Sequence, residues 1–240
     1  MDLRLISLFI LPCFLFSVEG KSPSPTIATF SIVARDSTTG ELGVAVQSKF
    51  IAVGSVVPYA EAGVGAIASQ AWGNVRYGPV GLGLLKDGKS PGEAVRLMTE
   101  ADPVRERRQL GMIAPDGNAS IHTGKKCMDW AGGQTGSDYA VQGNLLTGPE
   151  VTQAMAKAFE DANGTLAERM IESLRAGQRA GGDKRGRQSA ALLVVRKGWG
   201  YGGLNDRFRD LRVDDHPAPI EELERIYQLH RKTFARPDGK

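Results

Sequence analysis

The chain of 240 residues reads as an α+β protein, a four-layer αββα sandwich in which two stacked sheets carry helices on their outer faces. Three observations predict it. A β-hairpin pattern opens the folded region at residues 29–50. After it the elements run strands, two helices, strands, two helices, strands and a terminal helix. The 30 glycines sit in turns and beside strands, as close backbone approaches in a β-rich fold require.

The hairpin is legible from its alternation. Phe30, Ile32 and Ala34 interleave with Thr29, Ser31 and Val33, the period of a strand. Residues 36–40 (DSTTG) are turn chemistry, and residues 42–46 return with small and β-branched side chains. One strand face thus carries two hydroxyls, Thr29 and Ser31. Residues 51–57 form a third β-branched run closed by Pro58, and residues 64–69 a fourth. Residues 63–68 match GxGxxA, but a dinucleotide site needs a strand before the glycines and a helix after them. Here the strand-like residues lie within the match, so a glycine-flanked strand is expected.

A short helix is expected at 79–87, stopped by Gly88. A second begins at the capping box Ser90-Pro91-Gly92-Glu93 and turns Ala94, Leu97, Met98 and Ala101 to one face. Strands follow at 110–114, 119–122 and 139–146, with 130–136 read as glycine-rich loop. Helices are expected at 149–162 and at 166–176, the latter stopped by Gly177. The basic loop AGGDKRGRQ leads into a buried strand at 189–195, and a last amphipathic helix spans 220–234.

Composition bounds the function. Hydrophobic content of 41% and charged content of 24% are those of a globular protein, and the net charge of +3 comes without the aromatic-basic interleaving of single-strand binders. No nucleic-acid partner is expected. Residues 5–16 are apolar, follow Arg4, and are too few to span a bilayer, so residues 1–20 read as a signal peptide. Two cuts fit the small-x-small rule, one after Gly20 and one after Ala28. Residues 21–28 (KSPSPTIA) form a polar spacer and residues 29–240 one domain. The expected location is secreted or periplasmic, with no membrane contact after leader removal. Cys127 is the sole cysteine beyond the leader, so no internal disulfide is expected. Asn118-Ala119-Ser120 and Asn163-Gly164-Thr165 match glycosylation sequons, which act only in a eukaryotic secretory pathway.

A hydroxyl residue that becomes first in a mature chain is a complete small catalyst. Its side chain is the nucleophile and its α-amine, of pKa about 7.7–8.0, is the base. The hairpin-first order, with Thr29 at its start, resembles the N-terminal-nucleophile (Ntn) hydrolases of proteasome β-type topology. More closely, the stretches TFSIVARD, GELGVAV, SQAWGN, YGPVGL, AVQGNLL and GGDKRGRQSAALLVV resemble an uncharacterised Ntn-hydrolase-like family, a domain of unknown function found in mainly bacterial proteins.

The resemblance implies an amidohydrolase with Thr29 as nucleophile and Asn144 and Asp183 placing its amine and water. It implies an oxyanion-stabilising segment at 69–74 that includes Gln70 and Asn74, with Lys184 and Arg187 biasing the site toward anionic small-molecule or peptide substrates. It requires no metal or organic cofactor, and its helical layers allow a homodimer. The chain departs from the proteasome pattern at two points. Gln47 and Ser48 stand where an Asp is used, and residues 51–57 hold no Lys, leaving Lys49 and Lys184 as the neighbouring cations. A non-catalytic binding protein on the same fold is the competing expectation.

Other residues point elsewhere. Ser31 is a second hydroxyl on the Thr29 face, with no His near it in sequence. Asp206, Asp210, Asp214, Asp215 and His216 are metal-ligand types but lack HExxH or paired-Cys spacing. Cys127 beside Lys125 and Lys126 is expected to have a lowered thiol pKa. Arg105, Arg107 and Arg108 read as a surface cluster at a helix end.

Overall fold

The computed structural model describes residues 29–239; the expected leader, the spacer and both cuts lie outside the described residues. The hairpin stands where the alternation put it, as β1 (Thr29–Arg35) and β2 (Leu42–Ser48). Its turn is held by the Asp36 carboxylate, which accepts the Thr38 and Thr39 N–H groups at 2.9 Å. Next come β3 (Pro58–Glu61), β4 (Gly65–Ala71), α1 (Tyr77–Lys86), α2 (Pro91–Glu100), β5 (Arg108–Ile113) and β6 (Ala119–Thr123). The second half adds β7 (Gly132–Gly136), β8 (Tyr139–Asn144), α3 (Glu150–Asp161), α4 (Leu166–Arg179), β9 (Ser189–Val195), β10 (Arg207–Val213) and α5 (Pro219–Thr233).

Two antiparallel sheets result. One has six strands in the order β10-β9-β2-β1-β8-β7, the other four in the order β3-β4-β5-β6. β1 lies inside the larger sheet, paired with β2 and β8. Its alternation sorts its side chains between two cores. Phe30, Ile32 and Ala34 pack with Met155, Phe159, Met170 and Leu174 of α3 and α4. Val33 packs between the sheets with Ala66, Ala68 and Ile113. The far face of the smaller sheet buries Ile67, Leu110 and Met112 against Tyr77 of α1 and Ala94, Val95 and Met98 of α2. Each fully buried aliphatic side chain contributes roughly 1.5–3 kcal/mol.

The capping box at Ser90 and Glu93 is formed, and Thr165 with Glu168 makes a second at the start of α4. Four expectations are corrected. Residues 51–57 are not a strand. They make a 3-10 turn at Val53–Ser55, and the strand begins at Pro58. The β-branched residues there fill the inter-sheet core at Val53 and Val57, and Gly54 packs so close that a Cβ would lie 2.7 Å from that of Ala191. Residues 132–136, read as loop, are the edge strand β7, whose glycines carry no side-chain period to read. Strand β10 was not expected, because a bulge between Arg207 and Arg209 breaks its alternation. Gly177 does not stop α4, which runs on to Arg179; a Cβ there would lie 2.7 Å from Met155 Cγ and 3.4 Å from the Phe30 ring, so close packing accounts for this glycine.

Gly133 of β7 shows the tightest of these approaches against main chain. A Cβ on it would stand 2.3 Å from the Val141 carbonyl oxygen and 2.9 Å from Gln142 Cα. Backbone cannot swing aside as a side chain can, so Gly133→Ala should cost about 1–3 kcal/mol, read as a lower urea midpoint. An unchanged midpoint would show that β7 does not pair with β8 in this register.

Candidate functional site

Thr29 begins β1 opposite Ser48 of β2 and Asn144 of β8. Thr29 and Ser31 share the face that looks toward the smaller sheet, and both are buried. The Thr29 hydroxyl donates to Ser48 Oγ at 3.1 Å. The Thr29 carbonyl accepts from Gln70 Nε2 at 3.2 Å, a bond that crosses from one sheet to the other.

Four buried amides surround this point. Gln70 Nε2 also donates to Gln109 Oε1 at 2.9 Å, while Gln70 Oε1 accepts the Ser31 hydroxyl at 2.6 Å. Gln109 Nε2 donates to the carbonyls of Gly143 at 2.8 Å and Gly132 at 3.3 Å and to Thr123 Oγ1 at 2.9 Å. Asn144 Nδ2 donates to Gln109 Oε1 at 3.1 Å, and Gln142 Nε2 to Ser31 Oγ at 2.6 Å. Asn144 Oδ1 and Gln142 Oε1 are buried with no hydrogen-bond partner. Gln70 and Asn144 are each followed by a residue in the left-handed region, Ala71 at φ 65° and Leu145 at φ 52°. Such residues cost on the order of 1–3 kcal/mol and turn the chain sharply out of its strand.

Of the expected site residues, Thr29, Asn144 and Gln70 meet here. Asp183 is buried in the loop before β9, where its carboxylate accepts the Lys49 N–H at 2.9 Å and is ion-paired with Arg185 at 2.9 Å. It thus anchors the chain just past Ser48. Lys184 is exposed with Nζ on the Asp129 carbonyl at 3.1 Å, and Arg187 is exposed and 3.8 Å from Glu221. Lys49 is exposed with Nζ 3.5 Å from the Arg187 carbonyl. Asn74 belongs to a second cluster, donating to Asp102 Oδ2 at 3.1 Å.

Gln109 and Gln142 are members that the sequence reading passed over, and Ser48 was singled out there with Gln47 only as standing where an Asp is used. The available signal was a polar residue inside an otherwise apolar strand, as in QLGMI and YAVQGN. Gln47, the other residue singled out at the end of β2, lies opposite Phe30 and so on the helix-facing side; its two amide atoms are buried and unpartnered.

The expected thiol is corrected: burial pushes Cys127 up to about 11, not down. Arg108 is likewise no surface residue, since its Nε lies 2.9 Å from Asp102 with the side chain 12% exposed. In the Asp206–His216 stretch Asp206 accepts the Gly198 N–H, Asp210 pairs with Arg207 and Arg212, and Asp215 accepts from Gln188. Among the described residues no group of three or more metal-ligating side chains is assembled. Clefts of about 540 and 520 Å³ lie beside the 198–203 loop and between α1 and α2, and neither is lined by Thr29.

The family model described as a family of unknown function (DUF1028) matches residues 29–223. A crystal structure of protein SPO2555 from Silicibacter pomeroyi, assigned to the same family model, is 34% identical with a TM-score of 0.78, over 85% of this chain and 89% of that one. The Anbu (ancestral beta-subunit) protein from Yersinia bercovieri is 14% identical with a TM-score of 0.36, over 85% of this chain and 95% of its own. No curated protein matches the chain.

Asp102 ties the loop after β4 to the start of β5. Burial alone would raise its carboxyl, but hydrogen bonds from the Val104 N–H, Arg108, Asn74 and Tyr77 outweigh this and bring it down to about 2. The depressed carboxyl stabilises the fold fully above the unfolded value near 4, and that stabilisation is lost as pH falls toward 2. Asp102→Asn should therefore be less stable than the parent at pH 6, with the gap closing by about 2 kcal/mol at pH 2 in urea titrations. A gap independent of pH would refute the assignment of Asp102 as the charged node.

Proposed function

Since the chain belongs to the DUF1028 family of unknown function, we propose that it is an exported Ntn-type amidohydrolase whose nucleophile is Thr29. The observation that carries this reading is the setting of Thr29, at the first position of an interior strand with its hydroxyl oriented by Ser48 and four amides packed about it. The layers fit a four-layer αββα sandwich: α3 to α5, the six-stranded sheet, the four-stranded sheet, then α1 and α2.

Cleavage after Ala28 frees the Thr29 α-amine. Thr29 Oγ attacks the substrate amide carbonyl, and the amine takes the hydroxyl proton and returns it to the leaving amine. An acyl-threonine ester remains, and water, deprotonated by the same amine, hydrolyses it. Ser48 accepts the Thr29 hydroxyl bond and so fixes the side-chain rotamer. Asp183 holds the end of β2 in place through the Lys49 N–H. Donors from residues 69–74 would meet the developing oxyanion, where one donor is typically worth about 3–4 kcal/mol. Lys184 and Arg187 stand exposed on the loop before β9, where they favour an anionic small-molecule or peptide substrate. The protein acts in the periplasm or outside the cell and needs no metal or cofactor, and a homodimer through the helical layers is compatible with this arrangement.

The competing reading, a binding protein on the same fold, draws on the burial of Thr29. A peptide epoxyketone separates the two, because it forms a stable ring only with a threonine that offers both hydroxyl and free α-amine. The exported protein should show by intact mass and N-terminal sequencing a chain beginning at Thr29, and should gain one epoxyketone. Thr29→Ala should fold and gain none. A mature chain that keeps residues 21–28, or equal labelling of Thr29→Ala, refutes the enzyme reading.

A further inference from the structure

The four buried amides are not interchangeable in orientation, and their order has a consequence for Thr29. Gln109 Nε2 faces the Gly143 and Gly132 carbonyls at 2.8 and 3.3 Å. A flipped amide would set oxygen against two carbonyl oxygens in a buried site, so Nε2 must point there. Oε1 of Gln109 is then fixed toward Gln70 Nε2 and Asn144 Nδ2, at 2.9 and 3.1 Å. Asn144 must present its NH₂ to Gln109, which leaves its Oδ1 on the other side of the amide. That oxygen is buried and without a partner, and the residue opposite Asn144 across the strands is Thr29. A buried acceptor with an unused lone pair is costly unless a donor reaches it.

We infer that Gln109 is a positioning residue: by fixing the Asn144 amide, it turns Asn144 Oδ1 into the acceptor for the α-amine of Thr29. This rests on the reading of Thr29 as an N-terminal nucleophile. An N–H of the amine directed to Oδ1 fixes the rotation of the amine and so directs its lone pair toward the hydroxyl proton it must take. In the step the Thr29 Oγ–H bond breaks and an N–H bond of the amine forms as Oγ adds to the carbonyl carbon, whose π electrons pass to the oxyanion. Gln70 braces the same arrangement from the second sheet, since its Nε2 holds both Gln109 Oε1 and the Thr29 carbonyl.

The charged groups at this end of the sheets are engaged outside the amide cluster. Asp183 pairs with Arg185, Lys184 reaches the Asp129 carbonyl, and Lys49 the Arg187 carbonyl. Arg187 pairs with Glu221 and Arg108 with Asp102, while Glu106 accepts the Lys125 N–H and His122 lies on the Arg105 carbonyl. The acceptor set for the amine is therefore a neutral one.

The test is the rate of epoxyketone labelling against pH, on chains beginning at Thr29. Asn144→Ala should label about tenfold more slowly at pH 7, the loss of one orienting hydrogen bond. Gln109→Met should slow labelling by a similar factor, and the double variant should be no more than about twofold slower than either single one, because the two act through one contact. Asn144→Asp, which places a carboxylate beside the ammonium, should move the midpoint of the rate–pH profile upward by about one pH unit or more. The inference is overturned if Gln109→Met labels at the parental rate or if the two single effects multiply. Should Gln109→Met fail to fold, an unmoved midpoint in Asn144→Asp overturns it on its own. Absence of label on the parental chain that begins at Thr29 would instead bring down the nucleophile reading, and this inference with it.

Discussion

The bond from Gln70 Nε2 to the Thr29 carbonyl joins the two sheets at the place where their shared interior stops being apolar. Along most of that interior Val33, Val44, Val46, Ala66 and Ala68 meet without polar atoms. At the end that holds the start of β1, the interior is filled by amides and hydroxyls. A buried amide left unpaired loses the full cost of its desolvation, so each one here constrains its neighbours. Gln70 can bond Thr29, Gln109 and Ser31 together only if β4 and β1 keep one spacing and one register. The sandwich and the polar cluster are therefore specified together.

Close approach is the other half of this constraint. The side chain of Gln142 fits because position 111 is glycine; a Cβ there would stand 2.2 Å from Gln142 Oε1. Gly143 lets Leu146 and Phe30 press on β8 from the helix side, with a Cβ there falling 2.4 Å from Leu146 Cδ1. The backbone leaves the site at once on both sheets, through the left-handed turns at Ala71 and Leu145. Asp102 then holds the chain that follows β4 through Asn74, and Asp183 the chain that follows β2 through the Lys49 N–H. Rigid strands thus present the cluster, and buried carboxylates fasten the loops at its rim.

How much of this could be read beforehand depends on which residues carry periodicity. β1 and β2 alternate cleanly and were legible, as were the Ser90 capping box and the buried strand β9. β7 was hidden because glycines show no alternation, and β10 because its bulge puts Phe208 and Arg209 both inside. The run at 51–57 has strand composition but crosses from one sheet to the other, so tertiary packing overrides propensity. At the site, Thr29 and Asn144 could be named because one begins a strand and the other ends one, at positions the family resemblance marks. Gln109 and Gln142 could not, since their roles come from strand pairings far apart in sequence. Asn74, drawn from a neighbouring stretch, turned out to serve Asp102.

The neutrality of the cluster bears on how Thr29 would manage its own proton. Ntn sites of the proteasome type set a Lys beside the nucleophile, and residues 51–57 supply none. Lys49 and Lys184 are exposed and spend their ammonium groups on loop carbonyls. A terminal amine at a fully buried residue does not need such a cation. Desolvation disfavours an ammonium form, so on the proposed reading the burial of Thr29 would lower the proton affinity of its amine. An amide acceptor such as Asn144 Oδ1 can orient that amine, whereas a carboxylate in its place would hold the proton on. On the same reading, Gln47 and Ser48 at the end of β2 and the neutral amides around Thr29 would serve without a charged residue beside the nucleophile. On the proposed reading, burial would set the basicity of the amine, and hydrogen bonds of fixed direction its geometry.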